Sequence, residues 1–370
     1  MVKQYSLEEK LIIAMSLYPT YPSTKVKRIW KFLQREKIYL AFEDNMGKIV
    51  QAFGREVYEN LLEITTERVE RYIKNLSAQN VVCLTILDSE YPSCLRQTGE
   101  DAPILLFCKG DLSLLSTPKL AIVGSRDISY YGVETTSHFA KELSREGMTI
   151  VSGLAEGVDT ISHRITLENG GKTIGVLGGG FNRIYPASNT NLAQEMCEKG
   201  LLITEYAPAT SPTKFTFPVR NRIIAAISDA TLITEARENS GAMHTKRYAQ
   251  KYGKTVYVVP ASIFTEKGQG SNLLISSREV KVVLNATDIL KDMSITHEPP
   301  IKALKKPEHI QLTIEEESVI SALSMGEKNT EELVAITKME YRKLAPLLSL
   351  LEIKGQIQRK PGNMFSLKYE

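Results

Sequence analysis

The feature that most restricts the fold of this 370-residue chain is a recurrence that begins near Val81. From there to about Leu290, short apolar runs ending in Gly, Ser or Pro alternate with amphipathic stretches. That is the pattern of βαβ units in an α/β domain built on a mostly parallel, Rossmann-like sheet. The runs predict strands at Leu120–Val123, Thr149–Val151, Thr173–Leu177, Leu201–Thr204, Thr231–Thr234 and Thr255–Val259.

The flanks read differently. Residues 1–78 form an all-helical domain, because Leu7 to Leu17 and then Val26, Ile29, Trp30 and Leu33 repeat at helical spacing. The α/β domain spans 79–292. Residues 293–311 are a linker in which Pro299, Pro300 and Pro307 accompany Lys302, Lys305 and Lys306 with no apolar period. The last domain, 312–370, has helical patterns at Glu315–Leu323, Thr330–Ile336 and Tyr341–Lys354. A β-hairpin then turns at Pro361-Gly362-Asn363, an order that resembles a winged helix. Pro346 should kink the third of these helices or move its start.

Composition excludes more than it assigns. A balance of 46 Lys and Arg against 43 Asp and Glu gives a net charge of only +3, so any anion site must be local. Cys83, Cys94, Cys108 and Cys197 form no Cys-x-x-Cys pair and sit among apolar neighbours, which argues for reduced cytoplasmic thiols and against zinc or a disulfide framework. The apolar run Leu11 to Leu17 is too short to span a membrane. Neither a metal nor a cofactor is expected.

In an open parallel sheet, ligands bind beyond the carboxyl ends of the strands, where helix N-termini present free amides. Five junctions fall there: Gly124-Ser125-Arg126, Ser152-Gly153 with Gly157, Gly178-Gly179-Gly180, the stretch Phe217 to Arg222, and Ser240-Gly241. Glycines admit close approach and hydroxyls and amides donate to oxyanions, so the set suits phosphates. Gly171-Lys172-Thr173 and Gly253-Lys254-Thr255 look like P-loop endings, but Thr166 and Tyr248 stand where the earlier glycine belongs. Arg183 likewise breaks a dinucleotide fingerprint after Gly178. What remains is cationic and aromatic: Arg126, Lys214, Arg220, Arg222, Lys246 and Arg247, with Phe215, Phe217 and Tyr185. Cations pair phosphates and flat rings accept unstacked bases, the equipment for single-stranded nucleic acid. The competing reading packs Phe217 and Tyr185 in the core and pairs Arg220 and Arg222 with Glu205 or Glu235.

The residues from Tyr91-Pro92 to Val280 closely resemble the DprA/Smf family. The resemblance rests on Val123-Gly124-Ser125-Arg126, on Ser152 through Thr160 with His163, and on Gly178-Gly179-Gly180 with Tyr185-Pro186. It continues through Phe217-Pro218-Val219-Arg220-Asn221-Arg222, Glu235-Ala236, Ser240-Gly241 and Gly270 with Asn272. It implies a Rossmann-like core between a helical domain similar to sterile-alpha-motif or helix-hairpin-helix modules and a winged helix. It also implies binding of single-stranded DNA, dimerisation through the core, and delivery of RecA recombinase to incoming strands during natural transformation. The positions carried over are Arg126, Ser152, Gly153, Phe217, Arg220, Asn221, Arg222, Ser240 and Gly241, and Lys214 joins them on its chemistry. Ala187, Ala242-Met243, Ala261 and Ile165-Thr166 depart from the family's usual residues.

Two other functions compete. One is a nucleotide-processing hydrolase like the lysine-decarboxylase-like phosphoribohydrolases, with Asp159 and His163 on one helix face as the acid–base pair. The Pro-Gly-Gly-x-Gly-Thr-x-x-Glu loop of those enzymes is absent here. The other is a duplex-binding regulator using Arg359 and Lys360 of the C-terminal domain.

Overall fold

A computed structural model describes residues 3–18, 23–39, 42–294, 313–324, 327–354, 356–360 and 363–367. Two compact units result, Met1–Thr296 and His297–Glu370. Most of the expected linker, and Pro361-Gly362 of the expected hairpin turn, lie outside the described residues.

The first unit opens with helices α1 (Leu7–Met15), α2 (Ser23–Arg35), α3 (Met46–Phe53), α4 (Arg55–Leu62) and α5 (Thr66–Ala78). A capping box at Ser6 and Glu9 starts α1, and the Thr65 hydroxyl caps α5. Then come β1 (Val82–Thr85), α6 (Ser93–Arg96), β2 (Leu105–Gly110), β3 (Lys119–Val123), α7 (Tyr130–Arg145), β4 (Thr149–Ser152), α8 (Val158–Glu168) and β5 (Thr173–Val176). They are followed by α9 (Thr190–Lys199), β6 (Leu201–Thr204), α10 (Thr216–Ile227), β7 (Ala230–Ile233), α11 (Ala242–Lys251), β8 (Thr255–Val258), α12 (Gln269–Ser276), β9 (Lys281–Val282) and α13 (Ala286–Asp292). All six expected strands are present, each within a residue of its predicted bounds.

The strands form one sheet in the order β1-β2-β6-β5-β4-β3-β7-β8-β9. From β6 to β9 it is parallel, while β2 runs antiparallel to both β6 and β1. The chain builds outward from β3 through β4, β5 and β6, then returns to the other side of β3 for β7, β8 and β9. The topological switch point therefore lies between β3 and β7.

Side-chain alternation divides the interior into two layers. In β3, Ala121 and Val123 join a core with Ile223–Ile227 of α10 and Ala242 of α11. Leu120 and Ile122 face the opposite core with Phe139, Ala140 and Leu143 of α7 and Val158 of α8. The same alternation seats the N-terminal helices. Cys83 of β1 and Leu105 and Phe107 of β2 pack with Leu11–Met15, Ile29, Trp30 and Leu33, while Leu84, Leu106 and Cys108 turn to the other face. Residue 78 thus marks a change from helix to strand within one compact unit.

The second unit comprises α14 (Ile314–Ser324), β10 (Lys328–Asn329), α15 (Thr330–Thr337), α16 (Tyr341–Ile353), β11 (Ile357–Lys360) and β12 (Met364–Leu367). Its sheet has the order β10-β12-β11, the arrangement of a winged helix. Leu333, Leu344, Leu348, Leu351, Ile357 and Phe365 form its core. Pro346 does not move the start of α16, which begins at Tyr341 and runs through the proline. The proline has no N–H to give the Arg342 carbonyl, so the second turn of the helix forgoes that hydrogen bond.

Candidate nucleic-acid interface

A groove of about 710 Å³ opens at the switch point. The β3–α7 loop contributes Gly124, Ser125 and Arg126 to it, the β7–α11 loop Arg237, Ser240 and Gly241, and the start of α10 Lys214, Phe217, Arg220 and Asn221. Gly124 holds the first two loops together, since a Cβ there would lie 2.5 Å from Val158 and 2.6 Å from the Glu235 carbonyl. The Ser125 amide also donates to that carbonyl at 2.7 Å.

The helix N-termini around this rim are not equivalent. Asp159, in the first turn of α8, accepts from the Gly153 amide at 3.0 Å and the Ala155 amide at 3.4 Å. Glu235 accepts from the Ser129 amide at 2.8 Å and from its hydroxyl, just ahead of α7. Both helices already hold a carboxylate of the protein. The starts of α10 and α11 face the groove, and a Cβ on Gly241 would meet nothing within 4 Å.

The cations separate into two kinds. Arg126 and Lys214 are exposed, with no carboxylate partner recorded among the described residues. The Arg126 guanidinium lies 5.2 Å from the centre of the half-buried Phe217 ring, whose other neighbour is Tyr185 at 5.4 Å, and Lys214 lies 5.2 Å from the Phe215 ring. Phe215 is 73% exposed and Tyr185 54% exposed, so neither is a core residue. Arg220 is instead buried beneath the groove. Its Nη1 donates to the carbonyls of Gly153 and Val176 at the ends of β4 and β5, and its Nε donates to Asn221 Oδ1 at 3.1 Å. Asn221 Nδ2 donates in turn to the Gly241 carbonyl at 3.2 Å. Burial lowers the Arg220 pKa to about 10; Asp159 opposes that shift and the nearby Arg126 adds to it. Burial likewise raises the Asp159 carboxyl, against the pull of Arg220.

Several predicted residues take other roles. Ser152 is buried and spends its hydroxyl on the Ile122 carbonyl at 2.7 Å, so it offers nothing to a ligand. Gly153 lies behind Arg220, where a Cβ would come within 2.3 Å of the guanidinium. Its lack of a side chain accommodates protein and not phosphate. Arg222 turns away from the groove and makes a two-pronged pair with Glu205 at 2.7 Å. Burial disfavours its charge, but Glu205 outweighs burial and raises its pKa. Lys246 pairs with Glu279. The triple glycine serves packing as well: Gly178 abuts Phe217, Gly179 abuts Pro212, and Gly180 lies against the carbonyls of Ala207 and Pro208.

Sequence reasoning missed Arg237, which lines the groove and pairs with Asp127 at 2.7 Å, while Lys267 bonds the other Asp127 oxygen at 2.6 Å. The signal was its position directly after β7 and the Glu235-Ala236 motif. The proposed acid–base pair does not assemble. Asp159 touches the groove, but His163 is fully buried, its Nδ1 is 2.6 Å from the Thr173 hydroxyl and its Nε2 has no hydrogen-bond partner among the described residues. Burial lowers the imidazole pKa to about 3. Among the described residues no cluster of three metal-ligating side chains occurs, and no helix is long and apolar enough to cross a membrane. In the winged helix, Lys360 pairs with Glu327, and Arg359 bonds Asn363 while lying 5.8 Å from the Phe365 ring.

A doubly wound sheet with guanidinium and ammonium groups that have no carboxylate partner among the described residues, beside exposed rings at its switch point, defines an α/β protein equipped for a phosphate-bearing, base-bearing ligand. Residues 82–294 match the family model described as DNA recombination-mediator protein A, and residues 303–363 match the DprA winged helix domain. The chain belongs to the DprA/Smf family. The DNA processing protein DprA of Bacillus subtilis is 37% identical over 236 residues, which cover 64% of this chain and 79% of that one. The Streptococcus pneumoniae DprA crystal structure superposes with a TM-score of 0.66 at 32% identity, covering 78% of this chain and 99% of that one. The Helicobacter pylori DprA structure, described for its single-stranded DNA binding mode, gives a TM-score of 0.52 at 33% identity over 58% of this chain and 95% of that one.

Proposed function

We propose that this protein binds single-stranded DNA in the switch-point groove, without catalysing a reaction. Arg126 and Lys214 contact phosphates, Phe217 receives a base, and Ser240 and Gly241 at the start of α11 bind a further phosphate oxygen. The observation that carries this reading is the placement of Arg126 over Phe217, with no carboxylate partner among the described residues, and a second guanidinium, Arg220, beneath the same groove. An anion seated there relieves repulsion between like charges, and the ring supplies a stacking face that every base can use. The single-stranded DNA binding named for the Helicobacter pylori relative supports the same reading.

The family resemblance supports a cytoplasmic role in natural transformation, in which the bound strand is protected and handed to RecA recombinase. It also supports a homodimer through the Rossmann-like domain. The outer end of the sheet, where β9 has no further neighbour among the described residues and Val282 and Leu284 are exposed, is a suitable contact surface.

Fluorescence anisotropy with single- and double-stranded oligonucleotides at two salt concentrations tests the reading. Single strands should bind more tightly, log affinity should fall with log salt by about 0.7 per phosphate contact, and Arg126→Ala should lose roughly tenfold or more. A preference for duplex, or affinity indifferent to salt, overturns it.

A further inference from the structure

A second groove, of about 550 Å³, adjoins the first and shares two of its walls, Tyr185 and Pro212. Pro212 is seated against Gly179, where a Cβ would come within 2.9 Å, so this wall is anchored to the triple-glycine turn. Tyr185 stands half exposed between the grooves with Phe217 on its near side. Beyond it the lining carries no acidic residue. Arg183 is exposed there, bonded to the Ser211 hydroxyl at 3.0 Å, with no carboxylate partner recorded among the described residues. Exposed Asn182 lies beside it, over a floor that includes half-buried Phe181 and Ile184.

Nothing in the single-strand footprint assigned above uses these groups. A guanidinium held by a neutral hydroxyl keeps its full charge and its remaining N–H donors for a ligand, and the Asn182 amide adds another donor. The exposed ring on the dividing wall is the surface over which a flexible chain of stacked bases can pass from one groove to the next. The ligand chemistry that fits both grooves is one polyanion with flat substituents at regular intervals, longer than the first groove alone accommodates.

Resting on the single-strand reading, we propose that the second groove is an extension subsite for the same strand, in which Arg183 holds a backbone phosphate after the strand has crossed Tyr185. Occupancy of this subsite requires oligonucleotides long enough to leave the first groove, so its contribution depends on length. The first groove engages short oligonucleotides without it.

The test is an anisotropy series with oligo-dT of increasing length, from about 4 to 24 nucleotides, on wild type, Arg183→Gln and Lys172→Ala. Lys172 is an exposed cation at the opposite, amino-terminal end of β5 and controls for the general loss of one charge. The expected result is that Arg183→Gln matches wild type on the shortest oligonucleotide it binds, loses about tenfold on the longest, and has a salt slope shallower by about 0.7 only there. Lys172→Ala should follow wild type at every length. If wild type binds but Arg183→Gln is unchanged at all lengths, weakened equally at all lengths, or indistinguishable from Lys172→Ala, the extension subsite is wrong and the first groove stands. If wild type binds no single strand, both readings fall.

Discussion

Replacing Arg220 by alanine should damage the fold before it damages a ligand contact. The guanidinium ties the Gly153 and Val176 carbonyls, at the ends of adjacent strands, and faces the buried Asp159 carboxylate. Each hydrogen bond from a charged donor contributes about 1.5–3 kcal/mol, and removing one partner of a buried charge pair costs about 3–5 kcal/mol. These effects overlap, so the expected loss is about 3–5 kcal/mol, which lowers Tm by roughly 5–8 °C for a unit of this size. Arg126→Ala, at an exposed position, should stay within about 0.5 kcal/mol of wild type. Differential scanning calorimetry on both variants at several pH values makes the comparison. In Arg220→Ala the Asp159 carboxyl, already raised by burial, loses the charge that opposed the rise. The folded variant then favours the protonated acid, so its stability deficit is greatest at high pH and shrinks as pH falls toward the unfolded carboxylate value of about 3.9. An Arg220→Ala protein with wild-type Tm but no DNA affinity would refute this reasoning and make the side chain a phosphate ligand.

Two further outcomes follow from the same region. His163, with its pKa depressed to about 3, stays neutral in the folded protein while the unfolded chain protonates near 6.5. Its contribution is fully present above pH 6.5 and is lost at about 1.4 kcal/mol per unit as pH falls toward 3. Urea unfolding between pH 7 and 5 should show that slope in wild type and a shallower one in His163→Gln. Phe217→Ala should weaken single-strand binding by about 1–3 kcal/mol in anisotropy measurements, because a stacking face is lost and Arg126 is released from the ring. Unchanged affinity would remove the base from Phe217.

The parallel strands were legible because buried central strands carry continuous apolar runs between glycine, serine and proline. The edges were not. Leu105–Gly110 is as apolar as its neighbours, and periodicity holds no information about strand direction, so the antiparallel β2 and its partner β1 went unplaced. The two-residue β9 is too short to have a period. At the site, the cationic and aromatic loops were readable, but not which members share a surface. Arg220 and Arg222 stand two residues apart on α10, about 200° around the helix, so they cannot serve one ligand together. Their partners, Asp159 and Glu205, come from distant segments and meet them only through the sheet order. The glycines misled in a similar way: at Gly153 and Gly178–Gly180 the close approach they permit is to other parts of the protein.

The layer shared by the first five helices and the strands β1 and β2 has a practical consequence. A chain trimmed to begin at Val82 would keep every loop of the switch-point groove, yet it would present Cys83, Leu105 and Phe107 to water as an oily flank. Such a fragment should clump before its affinity for any ligand can be measured. The helices therefore act as a permanent lid on one shoulder of the molecule, and the seam that the sequence suggests at residue 78 is a poor place to cut.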